Sequence, residues 1–480
     1  MPSALPASPP PGRITKFTNC RILKGEELVT QDLWVSSSTG KIIQSQEAFY
    51  SELCVPDETI DLGGRIISPG FIDVQLNGAF GFDFASIAED GDPNTYGKNF
   101  RQVNKLLVKT GVTSYLPTIT SSRPEVYHHV CTYPLKIYIL LMFIKKALPS
   151  LGPSGTHRLP SDGSESLGAH VEGPFISPTK NGIHPIPVLQ EPTSDSLNSI
   201  AACYGASNLQ GNIRLMTAAP ELPYMTSLIT PLTSPPHNII FSIGHTESTY
   251  EEATSAITAG ATMITHLFNA MRPLHHRNPG IFGLLGVSPN SKSLPPSPPS
   301  SPSLSTPRLP KRPYFGLIAD GIHLHPSTCT LAYNAHPSGL ILVTDAMHLL
   351  GLPSGRYPYK SSFIHKRGNE LTLESDGKIA GSSITLVECV NNFVDWTGCT
   401  LAQGLKAVTE TPARMLGVWG RKGGLEGGAD ADLCVLGEEW TEEGGRRVVV
   451  EQVWKFGVKV FDREVEEGRL GGMKGGMVVE

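Results

Sequence analysis

The chain has 480 residues, 39% hydrophobic and 17% charged, an ordinary globular composition with enough apolar material for a large core. Its net charge of −5 gives no sign of a basic nucleic-acid-binding surface. Eight cysteines with no CxxC pair argue against a disulfide framework and for reduced thiols in the cytoplasm.

The opening MPSALPASPPPGR has no apolar stretch of the kind a signal peptide needs and reads as a flexible lead over residues 1–13. Residues 14–68 alternate apolar and polar positions between turn signals, as in ITKFTNCRIL, DLWVSSSTGKII and GRIISPG, the pattern of short half-buried strands. The far end matches it in DADLCVL (430–436) and RRVVVEQVWKFGVKVF (446–461). The two ends, 14–68 and 421–463, are therefore expected to pair into one small β-sandwich, with residues 69–420 forming a domain between them. That middle repeats a different rhythm. Short apolar runs end in polar residues at FIDVQLNG (71–78), TSYLPTIT (113–120), SLGAHVEGP (166–174), NIRLMTAAPE (212–221), NIIFSIGHT (238–246), ATMITHLFNA (261–270), YFGLIADGIH (314–323) and GLILVTDAM (339–347). Helical stretches such as TYEEATSAITAG (249–260) lie between several of them. Eight strand–helix units predict an α/β fold, a (β/α)8 barrel of the TIM type.

Three segments break the pattern. LKIYILLMFIKK (135–146) is apolar but shorter than the roughly 20 residues a bilayer crossing needs. It reads as part of an atypical insertion over 132–146, with a buried helix or strand as the other reading. PNSKSLPPSPPSSPSLSTPRLPKRP (289–313) reads as a Pro/Ser-rich surface loop, and the Gly- and Glu-rich end from Glu464 as a flexible tail.

The polar residues at the strand ends carry the chemistry. They are Asp73, Gln75 and Asn77, then His170 and Glu172, then His245, His266, His323 and Asp345. In a (β/α)8 barrel the C-terminal strand ends converge on one mouth. Glu172, His245 and His266 would there supply one carboxylate and two imidazoles, a donor set for a divalent metal, Zn2+ before others. Asp345 would add a carboxylate able to take a proton from water and hand it to a leaving nitrogen. Each has a plainer reading taken alone: a histidine hydrogen-bonded in place, a glutamate capping the next segment, an aspartate N-cap. Four such groups at the ends of four different strands point to a metal site. FIDVQLNG raises its own question, because many metal hydrolases carry His-x-His where Gln75-x-Asn77 stands.

In order along the chain, SPGFIDVQLNG, GAHVEGPF, KNGIHP, TAAPE, GHT, THLFNAM, ADGIH, LVTDA and AGSS resemble the N-acetylglucosamine-6-phosphate deacetylases of the amidohydrolase superfamily. The resemblance runs from about Ile14 to Phe461. It implies the barrel-plus-sandwich fold, one catalytic divalent metal, a homodimer, and hydrolysis of N-acetylglucosamine 6-phosphate to glucosamine 6-phosphate and acetate. Gln75 and Asn77 then look like a one-metal version of the site, the amides orienting water and substrate hydroxyls; plain strand-end hydrogen bonding is the alternative. The resemblance implies Glu172, His245 and His266 as metal ligands, Asp345 as acid/base, and His184 as a helper at the reacting amide. It implies substrate contacts from Ile183, Asn269, Ala270, Arg277 (with Arg272 as a possible substitute) and His323, the last reaching the neighbouring subunit's site. Ile379, Ala380 and Gly381 would form a loop over the sugar. The chain is expected to need no nucleic acid and no membrane. Two rivals stand beside this reading: another amidohydrolase acting on a different N-acyl or cyclic amide, and a catalytically silent scaffold.

Overall fold

All eight expected barrel strands are present, and all run parallel. In chain order they are β1 (Phe71–Leu76), β2 (Val112–Thr120), β3 (Ala169–Glu172), β4 (Ile213–Ala218), β5 (Ile240–Ile243), β6 (Met263–Ile264), β7 (Tyr314–Ile318) and β8 (Leu340–Val343). Each pairs with the next from β1 through β8. The sheet returns on itself where Leu76 bridges Ala346 in parallel and the Asp345 N–H donates to the Gln75 carbonyl at 2.9 Å. The computed structural model describes residues 13–44, 55–85, 93–124, 159–286, 312–360, 362–442 and 444–468. The lead up to residue 12, the expected insertion at 132–146, residues 289–311 of the Pro/Ser-rich segment and residues 469–480 lie outside the described residues.

Two apolar layers hold the barrel, as alternation along each strand requires. Val74, Leu116, Leu215, Met263, Ile318, Ile341 and Val343 share one cluster. Their neighbours Tyr115, Met216, Leu317 and Leu342 belong to a larger one with the surrounding helices. The helix Tyr250–Ala259 shows how local sequence sets its boundaries. Thr249 and Glu252 satisfy each other's backbone N–H groups in a capping box, and Gly260 closes the far end. Thr385 and Glu388 repeat the device on Leu386–Thr397. Among the described residues no helix is long and apolar enough to cross a membrane.

The two chain ends form the expected sandwich. One sheet runs Lys41–Ile43, Leu33–Ser36, Ile14–Thr18, Glu58–Asp61; the other runs Val458–Asp462, Arg446–Lys455, Leu433–Trp440, Ile66–Pro69, Arg21–Lys24, Glu27–Thr30. Phe17, Leu33, Val35, Ile67, Leu433, Val435 and Trp454 fill the space between, with Phe17 edge-on to Trp454 at 5.0 Å. Two differences from the sequence reading stand out. Residues 463–468 form a helical turn tied down by Glu466 to Lys109 at 2.5 Å, so order continues past Glu464, where a loose tail was expected. The chain after β8 makes a four-stranded antiparallel excursion, Gly355–Tyr359, Ser362–Arg367, Glu370–Leu373 and Ile379–Ser382, before returning to the mouth.

Candidate active site

Glu172 is the last residue of β3, while His245, His266 and Asp345 each lie two residues beyond the end of their strand. All three have positive φ, at 49°, 26° and 48°. Residues with a Cβ avoid that region, and such strain persists where the surroundings over-determine it, commonly at functional sites. The strained turns converge. Nε2 of His245 and Nε2 of His266 lie 3.0 Å apart, and each faces Glu172 Oε1, at 3.3 and 3.1 Å. His245 donates its Nδ1–H to the Lys180 carbonyl at 2.7 Å, which leaves its Nε2 with a free lone pair. Two ring nitrogens and a carboxylate oxygen at 3.0–3.3 Å match the edge, about 3.3 Å, of a tetrahedron around a zinc-sized ion with bonds near 2.0–2.1 Å. The residues present therefore fit a divalent metal. Burial alone would push the Glu172 carboxyl up, but hydrogen bonds from the His245 and His266 rings in their protonated form, and the charge of those rings, outweigh it and hold it well below the usual range.

The two amides of FIDVQLNG bind carboxylates. Gln75 Nε2 donates to Glu172 Oε1 at 2.9 Å and to Asp345 Oδ1 at 3.2 Å, and Asn77 Nδ2 donates to Asp345 Oδ1 at 2.8 Å. Asp345 is pushed up to about 6 by burial and by the Glu172 charge; His266, His323 and the Asn77 hydrogen bond pull the other way. His184 Nδ1 accepts the backbone N–H of Ser121 at 3.2 Å. Burial, together with the nearby His245, holds the ring neutral, so its proton sits on Nε2. A ring nitrogen of His184 comes within 4.8 Å of donor atoms of Glu172 and His245. With Nδ1 taken by Ser121, 3.2 Å from its backbone nitrogen and 2.7 Å from its hydroxyl, the ring is left to present Nε2 to the site. His170 sits below this layer, bonded to Thr217 Oγ1 at 2.7 Å and to the Val74 carbonyl at 3.2 Å; burial lowers it to about 4.

An Amidohydrolase family sequence model matches residues 237–460. N-acetylglucosamine-6-phosphate deacetylase of Mus musculus is 40% identical over 424 residues, covering 88% of this chain and 91% of the relative. That of Danio rerio is 38% identical over 460 residues, covering 95% of this chain and 100% of the relative. The chain belongs to the N-acetylglucosamine-6-phosphate deacetylase family. The fold agrees: the crystal structure of the Pasteurella multocida N-acetylglucosamine-6-phosphate deacetylase superposes with a TM-score of 0.69 at 26% identity, covering 93% of this chain and 99% of that one.

The remaining residues that the family resemblance singled out divide into two groups. Ala380 is buried, and Gly381 has φ +66°, where a Cβ would meet Met347 Cγ at 2.8 Å and the Asp345 carbonyl at 3.0 Å. Residues 379–381 open the last strand of the excursion, and their small side chains let it pack against the turn carrying Asp345. Ile379 stays exposed, and Ile183 packs against the same excursion. Asn269 keeps a buried, unpartnered Nδ2 beside the His266 turn, and Ala270 has φ 49°. Arg277 is exposed and its guanidinium has no protein partner among the described residues, whereas Arg272 is already bound to Glu247 at 3.0 Å. His323 was expected to serve the neighbouring subunit. Within this chain its Nδ1 lies 2.7 Å from Asp320 Oδ2, and the ring is near enough to the mouth to favour the Asp345 carboxylate when protonated. Ser121, Lys180 and Asp320, the supports of His184, His245 and His323, escaped the sequence reading. Lys180 acts on His245 through its carbonyl, which carries no residue signal, and Ser121 acts through both its backbone N–H and its hydroxyl; Asp320 stood within ADGIH and was the one that could have been found.

Proposed function

We propose that the chain hydrolyses the acetamide of N-acetylglucosamine 6-phosphate, giving glucosamine 6-phosphate and acetate. The observation that carries this reading is the convergence of Glu172, His245, His266, Asp345 and His184 at one barrel mouth, in a chain belonging to this deacetylase family. Glu172, His245 and His266 would hold one divalent metal, and Zn2+ is the ion proposed because two imidazoles and a carboxylate suit it. Such an ion supplies Lewis acidity, polarising the acetamide carbonyl and acidifying water. Asp345 accepts the proton of the water that attacks the carbonyl carbon, and later delivers it to the departing amine nitrogen. Its carboxyl, raised to about 6, is basic enough to take a proton and acidic enough to return it. His184 donates Nε2–H to the oxygen on which charge develops. Gln75, bridging Glu172 and Asp345, and Asn77, bound to Asp345, aim the two carboxylates.

Unspent polar atoms support a ligand in this mouth. Of the six buried, unpartnered side-chain atoms among the described residues, Asn77 Oδ1, His266 Nδ1 and Asn269 Nδ2 belong to it. Arg277, a free guanidinium, is the proposed phosphate ligand, since its planar fork matches a phosphate. A homodimer is part of the proposal: Arg277 and Leu274 stand exposed on one irregular segment, as an arm reaching a second copy would. The six described cysteines are all free, which supports a cytoplasmic location.

The deciding experiment is acetate release from N-acetylglucosamine 6-phosphate and from N-acetylglucosamine, on metal-stripped protein with and without added Zn2+. Metal-dependent release from the phosphosugar alone is expected. Equal release from both sugars would remove the phosphate pocket, and no release from folded, metal-loaded protein would remove the substrate.

A further inference from the structure

Glu247 follows His245 by two residues and touches three of the loops that build the mouth. Its Oε1 accepts from Lys180 Nζ at 3.1 Å and from Thr179 Oγ1 at 3.2 Å, both on the loop after β3. Its Oε2 accepts from Arg272 Nε at 3.0 Å, on the loop after β6 that also carries Arg277. Its own backbone N–H donates to Glu221 Oε1 at 2.6 Å, at the end of β4. Lys180 therefore grips the His245 loop with both ends. Its carbonyl receives His245 Nδ1–H at 2.7 Å, and its ammonium binds Glu247. A closed ring results: His245 ring, Lys180 carbonyl, Lys180 ammonium, Glu247, and back along the chain to His245. That ring constrains an imidazole whose backbone sits at φ 49°, a conformation the surroundings must enforce.

We propose that Glu247 is a positioning residue with two separable arms, one steadying the metal ligand His245 and the other anchoring the segment that presents Arg277 to phosphate. The second arm rests on the substrate reading above; the first does not. The Oε1 arm acts on metal affinity through the Lys180 carbonyl. The Oε2 arm keeps Arg272 occupied, so that one guanidinium of the segment is held to the protein while Arg277 is left for the ligand.

The arms are separated by four variants, each read for Zn2+ affinity by competition with a chromophoric chelator and for KM and kcat on N-acetylglucosamine 6-phosphate. Glu247→Ala removes both arms. It is expected to weaken Zn2+ binding about tenfold, the low end for outer supports of a metal ligand, and to shift KM about threefold, as loss of an exposed ion pair allows. Glu247→Gln keeps an oxygen for Lys180 and Thr179 but cannot pair with the Arg272 charge. It should hold Zn2+ as wild type does while showing the KM shift, and Arg272→Met should match it. Lys180→Met keeps the carbonyl but loses the ammonium, and should weaken Zn2+ binding with KM unchanged at saturating metal. Wild-type Zn2+ affinity in both Glu247→Ala and Lys180→Met would overturn the metal arm. Unchanged KM in both Glu247→Gln and Arg272→Met would overturn the phosphate arm. If the wild-type protein turns over no phosphosugar, the substrate reading fails separately, and the Zn2+ titrations still decide the metal arm.

Discussion

Among the described residues two buried clusters each bring three donors close enough to hold a metal ion, Glu172, His184 and His245 in one and three carboxylates in the other, and in the first His266 lies as near to Glu172 and His245. One is the mouth. The other lies where the barrel's opposite end meets the sandwich, and comprises Glu165, Asp430 and Asp432. There the chain supplies its own cations. Lys422 Nζ lies 2.7, 2.9 and 2.5 Å from the three carboxylates, and Lys455 Nζ lies 3.0 Å from Glu165 and 2.7 Å from Asp432 while also donating to the Thr113 carbonyl. Lys41 closes the outer side of Asp430 at 2.6 Å. Burial opposes the charge on Lys422, yet the three carboxylates push its pKa up overall. At the mouth no lysine or arginine reaches the Glu172–His245–His266 triangle among the described residues; what faces inward is two ring nitrogens and a carboxylate oxygen. The same carboxylate chemistry is thus a fastening where the protein provides the cation and a reaction centre where it leaves that place for an ion from solution.

The largest effect expected at the mouth is that of Asp345→Asn. The amide keeps an oxygen for Asn77 and Gln75 but cannot take a proton. kcat should fall about 10²–10⁴-fold, while the dissociation constant for the phosphosugar, measured by calorimetry on the inert variant, stays close to wild type. Lost binding would instead make Asp345 a structural residue. At the fastening, Lys422→Met should act the other way round. Removing one partner leaves buried carboxylates under-compensated, at a cost of about 3–5 kcal/mol, read as a lower urea midpoint, while kcat of the folded protein holds. Stripping the metal with a chelator should abolish turnover and leave the fold standing. A Lys422 variant that kept its stability and lost activity would erase the distinction between the clusters.

The fastening was not legible in the sequence, whereas much of the mouth was. Barrel strands announce themselves as apolar runs closed by a polar residue, and that polar residue is the functional one, so fold and site share one signal. The excursion 355–382 was missed because only its last few residues, AGSS, had been assigned a place. Lys422, Lys455, Glu165, Asp430 and Asp432 come together from three separate stretches with no common spacing, and pairing of that kind exists only after folding. The positive φ at His245, His266 and Asp345 was equally hidden, since no glycine marks it. For Gln75 and Asn77 the sequence left open substrate contact and plain strand-end hydrogen bonding; their amide N–H groups bind Glu172 and Asp345, while Asn77 Oδ1 keeps no partner among the described residues.

His184 tests whether the mouth works by donated protons as well as by its metal. His184→Phe fills the same space but presents no N–H, and kcat should fall about 10²–10³-fold if that donor meets the developing oxyanion. Zn2+ affinity should not change if Nε2 is a donor and not a ligand. Weakened Zn2+ binding in this variant would make His184 a ligand after all.

The smallest effect, and the sharpest for the FIDVQLNG question, is a shift in pH dependence. Asp345 acts as a carboxylate, so the rate falls as pH drops through its pKa. Burial and Glu172 raise that pKa to about 6, and the Asn77 hydrogen bond opposes them by favouring the charged form. Asn77→Ala removes the opposing bond, so the pKa rises and the acid limb of kcat/KM moves to higher pH. A hydrogen bond to a charged group of about 1.5 kcal/mol corresponds to about one pH unit. A bound dication lowers the limb in both proteins alike, and the difference between them survives. If Asn77 served the sugar instead, KM would rise at every pH and the limb would stay where it was. The direction of that one limb therefore separates an amide that tunes the catalytic carboxylate from one that reads the substrate.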